Sequence, residues 1–300
     1  MDRVNGFIDV DKLLNIPKME IYDVTELLKF ILKNNNTVKV CKRRMNAQFV
    51  FSFVYNGETY YFKFDSLVSP YNELMFYYLA LDMGIDSVSY DIAKLGVYEG
   101  VISKDFKVPG AKYISGRKIL NISHGKDFNK YNTLYDIWAD LEDCFKDRSN
   151  RQEIVAHLME KLVRIFIFDL LIGQEDRHPD NWGIVKYPNG EVDLQVNLDN
   201  SRGLVDHPIM TRHQLTMNRD YIYVEDMIEK FQIVSSDEFS SVLPNYLWII
   251  SKENILKTFA KIEEQTGTLM PEKLKNEYLQ KFEIYYEFFD DLLSELRTGR

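Results

Sequence analysis

Cysteine is nearly absent: Cys41 and Cys144 are the two in 300 residues. That is too few and too far apart for a disulfide framework or a metal-binding Cys pair, and a reducing compartment is the simpler expectation. An excess of positive charge is missing too. Lys and Arg number 37 against 46 Asp and Glu, a formal net charge of −9, so no direct nucleic-acid binding is expected. There is no long apolar run. The most apolar central stretch, Ile165 to Ile172, is broken by Asp169 and is far too short to span a bilayer. The opening Met-Asp-Arg-Val-Asn-Gly has no signal-peptide core, and neither a polybasic cluster nor a basic amphipathic helix suggests a membrane anchor. The expectation is a soluble cytoplasmic protein, with secretion by a signal-less route as the alternative. Internal repeats and low-complexity segments are also lacking. What the chain has is apolar and aromatic content, 45% hydrophobic with 19 Tyr and 19 Phe, enough to bury a sizeable core as one bilobed unit or two domains.

The first third is patterned for strands. Asp23 and Glu26 resemble a capping box opening a helix through about Lys33, with Leu27, Leu28, Ile31 and Leu32 as its apolar face. Thr37 to Val40, Phe49 to Tyr55 and Glu58 to Phe64 then read as strands, and Asn56-Gly57 as a hairpin turn. A helix from Pro70 to Gly84 follows, then short strands at Ser87 to Ile92 and Leu95 to Ile102. Beyond Lys104 to Gly110 the pattern is mainly helical: 134–145, 151–172, 224–231, 236–246, 252–265 and 271–296. This gives an α+β architecture with a β-rich lobe at residues 1–106 and a helical lobe at 107–300.

Asp176, His178 and Asn181 form a compact polar cluster directly after an apolar segment, in Gly-Gln-Glu-Asp-Arg-His-Pro-Asp-Asn. Two short strands, Trp182 to Tyr187 and Val192 to Val196, joined by Pro188-Asn-Gly190, would return the chain to Asp199 beside Asn181. Phosphoryl transfer from a nucleotide needs such a set: one carboxylate to orient a hydroxyl, and an amide oxygen with a second carboxylate to hold magnesium. Polar residues at a helix-to-loop transition are also common for local hydrogen-bonding reasons, and His178 is as readily structural as chemical. Lys63 alternates with Phe62 and Phe64 and so faces the opposite side of its strand. Alone it would be an ordinary solvated lysine. Glu73, ten residues on and early in the next helix, supplies the partner that kinases use to fix such a lysine against phosphates.

With those residues in hand, the chain resembles the HipA-like branch of serine/threonine kinases. It resembles phosphoinositide kinases more distantly, through their Asp-Arg-His-x-x-Asn loop. Tyr61 to Phe64 with Asn72 to Ile85, Leu171 to Asn181, and Leu198 to Asn200 carry the resemblance. It implies a bilobed protein-kinase-like fold, ATP and Mg²⁺ as cofactors, and a hydroxyl-bearing acceptor, expected to be protein Ser/Thr. Lys63 would bind phosphate, Glu73 orient it, Asp176 act as base near His178, and Asn181 with Asp199 hold Mg²⁺. The adenine hinge would fall at Val101, Ile102 and Ser103 up to Lys104, and Ile184 would also contact the nucleotide. The phosphate loop, Arg43 to Gln48, departs from the usual pattern. It has no glycine, although Asn46, Ala47 and Gln48 are similar to a Gly-Ala-Gln loop with Asn46, which tolerates positive φ, in the glycine position; Arg44 would add charge at the phosphates or simply belong to a solvated basic turn.

The stretch before the kinase-like core is too short for the extra N-terminal domain of full-length HipA toxins. The likeness is therefore to compact stand-alone members, and the toxins' DNA-linked role is not expected. Ser201, Thr211 and Thr216 are candidate autophosphorylation sites. Two other functions stay open: a lipid or small-molecule kinase of the same fold, and a nucleotide-binding pseudokinase scaffold, which the glycine-free loop favours. The helical tail carries no distinctive motif.

Overall fold

The structure is a computed structural model, and it describes residues 1–18, 20–44, 48–66, 68–119, 134–174, 180–197, 203–204 and 243–298. Its first element is a hairpin the sequence pattern did not announce. Strands Arg3–Val4 (β1) and Phe7–Asp9 (β2) turn at Asn5-Gly6, both at positive φ. The Asn-Gly signal was there, but strands this short show no periodicity. Asp9 then caps a one-turn helix, Val10–Leu13 (α1).

Val24–Asn34 (α2) starts where Asp23 accepts a hydrogen bond from the Glu26 amide at 2.9 Å, and it buries Val24, Leu27, Leu28 and Ile31. Leu32, expected on that face, is instead nearly half exposed at the edge of the stripe. Lys39–Arg44 (β3), Gln48–Tyr55 (β4) and Glu58–Asp65 (β5) form an antiparallel meander, with the β4–β5 turn at Asn56-Gly57, both residues at positive φ. After Pro70–Asp82 (α3) come Tyr90–Leu95 (β6) and Tyr98–Lys104 (β7). These two strands sit about three residues later than expected, because the chain reverses at Gly96, whose φ is 57°.

The seven-stranded sheet runs β1-β2-β6-β7-β5-β4-β3. Its pairings are antiparallel except β2 with β6. A second sheet, in the order β10-β9-β8, combines Lys112–Ser115 (β8), Gly183–Lys186 (β9) and Val192–Leu194 (β10). The sequence reading found the β9–β10 hairpin but not β8, a four-residue strand that exists only because β9 is there to pair with it. The longer helices among the described residues of the second lobe are Leu134–Cys144 (α4), Arg151–Leu171 (α5), Lys252–Thr266 (α6) and Glu272–Thr298 (α7). Those expected at 224–231 and over most of 236–246 lie outside the described residues.

Two apolar cores lie on opposite faces of the large sheet. On one face α2 packs over Phe49, Phe51, Phe53 and Phe62, all fully buried; each such ring removed from water contributes about 1.5–3 kcal/mol. On the other face α3 lies between the sheet and the helices of the second lobe, in one continuous core with α5, α6 and α7. That position explains the composition of α3. Residues 71 to 76 are buried without a break, and a helix apolar all round is one that is covered all round. The architecture is α+β and bilobed, with a β-rich amino-terminal lobe and a mainly helical carboxy-terminal one.

Candidate nucleotide site

Strand alternation sorts the centre of the large sheet. Phe62 and Ile102 point into the α2 core, whereas Val101, the cross-strand partner of Lys63, belongs to the α3 side. On that side Lys63 Nζ stands 2.7 Å from Glu73 Oε1, the two side chains being 13% and 3% exposed. Local signals set the glutamate's position. Ser69 caps α3 by accepting from the Tyr71 amide, Pro70 occupies the first turn with its fixed φ, and Glu73 follows in the same turn. A carboxylate there is also favoured by the positive end of the helix dipole. Strand β7 approaches β5 so closely that a Cβ on Gly100 would meet the Lys63 carbonyl oxygen at 2.2 Å. Lys63, Glu73, Asp65, Glu99 and Val101 line one pocket beside this pair.

The remaining amino-terminal-lobe candidates divide by side and by description. Ser103 returns to the Val101 side and is partly exposed. Ile102 is buried in the far core, so its side chain cannot reach a ligand beside Lys63. Val101, Ile102 and Ser103 are flanked by β5 on one side and β6 on the other, and the pairing with β5 continues through Lys104, opposite Tyr60, so this backbone lies within the sheet. Gln48 donates to Asp65 at 3.2 Å. Asn46 and Ala47 lie outside the described residues, as does the side chain of Arg44.

In the second lobe, Asp176, His178 and Asp199 also lie outside the described residues, but their flanks are fixed. Helix α5 ends at Leu171, and Gly173 (φ 60°) redirects the chain while the Gln174 amide donates to the Asp169 carbonyl at 2.8 Å. On the far side of that loop Asn181 is 5% exposed. It is held by its neighbours: the Trp182 carbonyl accepts from the Gly116 amide at 2.8 Å, and the indole fills the space where a Gly116 Cβ would be. Asp180, in contrast, is exposed and pairs with Arg117. Ile184 is buried on β9, opposite Ile114.

Leaving β10, the chain is drawn toward the α3–β6 connection. The Asn197 amide donates to the Asp86 carbonyl at 2.7 Å, and the Val88 amide and Ser87 hydroxyl donate to the Asn197 carbonyl. The buried Asn197 side chain has no hydrogen-bond partner among the described residues, two positions before Asp199.

The fixed ammonium of Lys63 beside its pocket and the buried amide of Asn181 in the second lobe are side chains of the kinds that contact phosphates and a divalent cation. Magnesium takes one or two carboxylates or amides and leaves its remaining positions to phosphates and water. No cluster of three or more His, Cys, Asp or Glu side chains among the described residues could hold a metal by itself. No helix among them is long and apolar enough to cross a membrane.

Sequence reasoning passed over Asn72, next to Glu73 and 5% exposed, and the α7 residues Tyr278, Lys281 and Tyr285, which touch Asn72, Leu204 and Gly173. The spacing of Tyr278, Lys281 and Tyr285 along one helical face was the available signal.

No protein-family model and no curated protein matches the chain by sequence. Among solved structures it is similar to HipA of Shewanella oneidensis MR-1, from the toxin–antitoxin complex with HipB and operator DNA. The identity is 15%, over 93% of this chain and 75% of that one, with a TM-score of 0.56. It is also similar to the Helicobacter pylori proinflammatory kinase CtkA, at 17% identity over 83% and 95% of the two chains and a TM-score of 0.48. At such identity the HipA likeness bears on fold alone, and the fold is the bilobed, kinase-like one.

Proposed function

We propose that this chain is an ATP- and Mg²⁺-dependent phosphotransferase whose acceptor is a hydroxyl, in the first instance that of a protein serine or threonine. The observation that carries the reading is the buried Lys63–Glu73 pair at 2.7 Å, set on a central strand and on a helix that packs beneath it. Such a pair spends a charged lysine in a largely dry place, and a polyanionic ligand beside it gives that charge a use.

In the proposed reaction Lys63 holds the α- and β-phosphates, and Glu73 keeps the ammonium from turning away. Asp176 accepts the acceptor's hydroxyl proton. The new O–P bond forms as the bridging bond to the β-phosphate breaks, and the displaced electron pair leaves on ADP. Asn181 and Asp199 would hold Mg²⁺, which when bound neutralises charge on the phosphates. Most of the rate then comes from positioning and charge neutralisation rather than covalent chemistry by the protein. A cytoplasmic setting suits a chain with two unpaired thiols.

The test is incubation of the full chain with labelled ATP, with and without Mg²⁺, alongside Asp176→Ala and Asp199→Ala. Label transfer to the chain or to a generic protein acceptor, lost in Asp176→Ala, supports the protein-kinase reading. Binding without transfer to protein points to a small-molecule or lipid acceptor, or to a nucleotide-binding scaffold. ATP–Mg²⁺ thermal stabilisation that survives Asp199→Ala undiminished removes the metal role.

A further inference from the structure

Helix α7 presents three residues along one face, Tyr278, Lys281 and Tyr285, at i, i+3 and i+7. Each meets a different segment of the candidate site. The Tyr278 hydroxyl donates to the side-chain oxygen of Asn72, the residue before Glu73. The same Asn72 donates through its nitrogen to the Gly203 carbonyl at 3.5 Å. Lys281 Nζ donates to the carbonyl of Leu204, a non-glycine residue in the left-handed region at φ 56°. Tyr285 stands against Gly173, where a Cβ would lie 2.1 Å from its hydroxyl, at the end of the helix that leads to Asp176.

None of these contacts is a surface accident. Tyr278 is 4% exposed and Asn72 5%. Burial holds the Tyr278 phenol well above its ordinary pKa, so it remains a donor throughout the accessible pH range. Gly203 is pressed against the Phe76 ring, with 2.6 Å available for a Cβ, so the 203–204 turn touches α3 as well as α7. A left-handed leucine persists only where its surroundings over-determine it, and the lysine on its carbonyl is such a restraint.

We propose that α7 is a positioning brace for the nucleotide site. Its Tyr278–Lys281–Tyr285 face locks the Glu73 helix, the turn four to five residues beyond Asp199, and the entry to the Asp176 loop into one register. The helix bearing Glu73 is thereby fixed from the second lobe. Tyr278, Lys281 and Asn72 are positioning residues; none touches the reacting atoms. The functional part of this inference rests on the phosphotransferase reading above, whereas the mechanical part does not.

The two parts separate experimentally in the full-length protein. Tyr278→Phe removes one hydroxyl, and Lys281→Met removes the second tie while keeping the aliphatic stem. In the ligand-free protein, amide hydrogen exchange of residues 74–79 and 203–204 should accelerate about tenfold in both variants, the scale of one lost buried hydrogen bond, while α6 keeps its protection. Turnover should fall by a similar factor with KM for ATP nearly unchanged. Unchanged exchange at both segments overturns the brace. Equal acceleration across α6 and α7 also overturns it, because that pattern is general loosening. If exchange responds as expected but the wild type shows no ATP–Mg²⁺ stabilisation, the brace stands and the phosphotransferase reading falls.

Discussion

Lys63 Nζ and Glu73 Oε1 are 2.7 Å apart across the gap between β5 and α3, with side-chain exposures of 13% and 3%. An ion pair this dry gains from its mutual attraction about what it loses in desolvation, so its presence argues for use rather than for stability. Lys63→Met leaves the Glu73 carboxylate buried without its lysine and should cost roughly 3–5 kcal/mol of folding stability. The double variant Lys63→Met/Glu73→Leu should recover most of that loss in urea denaturation yet show no ATP-induced thermal shift. A full ATP shift in the double variant would mean the pair is only structural.

Gly100 is a second point of sensitivity. A methyl group there meets the backbone of Lys63 at 2.2 Å, and only movement of a strand relieves the clash. Gly100→Ala is expected to lose about 1–3 kcal/mol and to weaken ATP binding along with it, as read by denaturation and by titration of the nucleotide. Loss of stability with unaltered nucleotide affinity would show that the β5–β7 spacing does not set the lysine's position.

Asp180 and Asn181 are neighbours with opposite expectations. Asp180 is exposed and pairs with Arg117 at the surface, where such pairs contribute little. Asn181 is buried and is proposed to hold Mg²⁺. Asp180→Ala should leave the ATP response intact, whereas Asn181→Ala should abolish the part of the thermal shift that depends on Mg²⁺. Isothermal titration with and without the ion checks this, and equal behaviour of the two variants would remove Asn181 from the site.

Asp11 gives a pH signature. Burial chiefly, with Asp9 adding to it, raises its carboxyl above the ordinary value of 3.8, opposed by the hydrogen bond from the Gly96 amide and by Lys18. A carboxyl raised in the folded state favours folding while protonated, and that contribution is lost as pH rises through the folded-state value. Asp11→Asn keeps an acceptor for Gly96 without the charge. It should therefore be as stable as wild type or more so near pH 7, with the advantage disappearing near pH ~4. Thermal unfolding across that range decides it; a variant less stable than wild type at neutral pH contradicts the expectation.

Elements long enough to bury a periodic face were legible in the sequence. α2, β4, β5, α3, α5 and α6 fall within a residue or two of expectation, because alternation and helical spacing are imposed by the face each element must hide. The β1–β2 hairpin and β8 were not legible. Two to four residues carry no period, and β2 and β8 join their sheets through partners far along the chain, β6 and β9. The Lys63–Glu73 pairing was legible because strand parity and helix start fixed both side chains locally.

The role of α7 was not legible. Its amphipathic pattern says that one face is buried, but nothing in it says what lies beneath. By itself the sequence determined the longer elements, most of the face each one buries and the pairing of Lys63 with Glu73, since these follow from short-range periodicity and capping. Only the tertiary structure decided that Tyr278 meets Asn72, 206 residues away, and that the Glu73 helix is held from both lobes. Contacts between distant segments are chosen by how the faces pack together, and no single face records its partner.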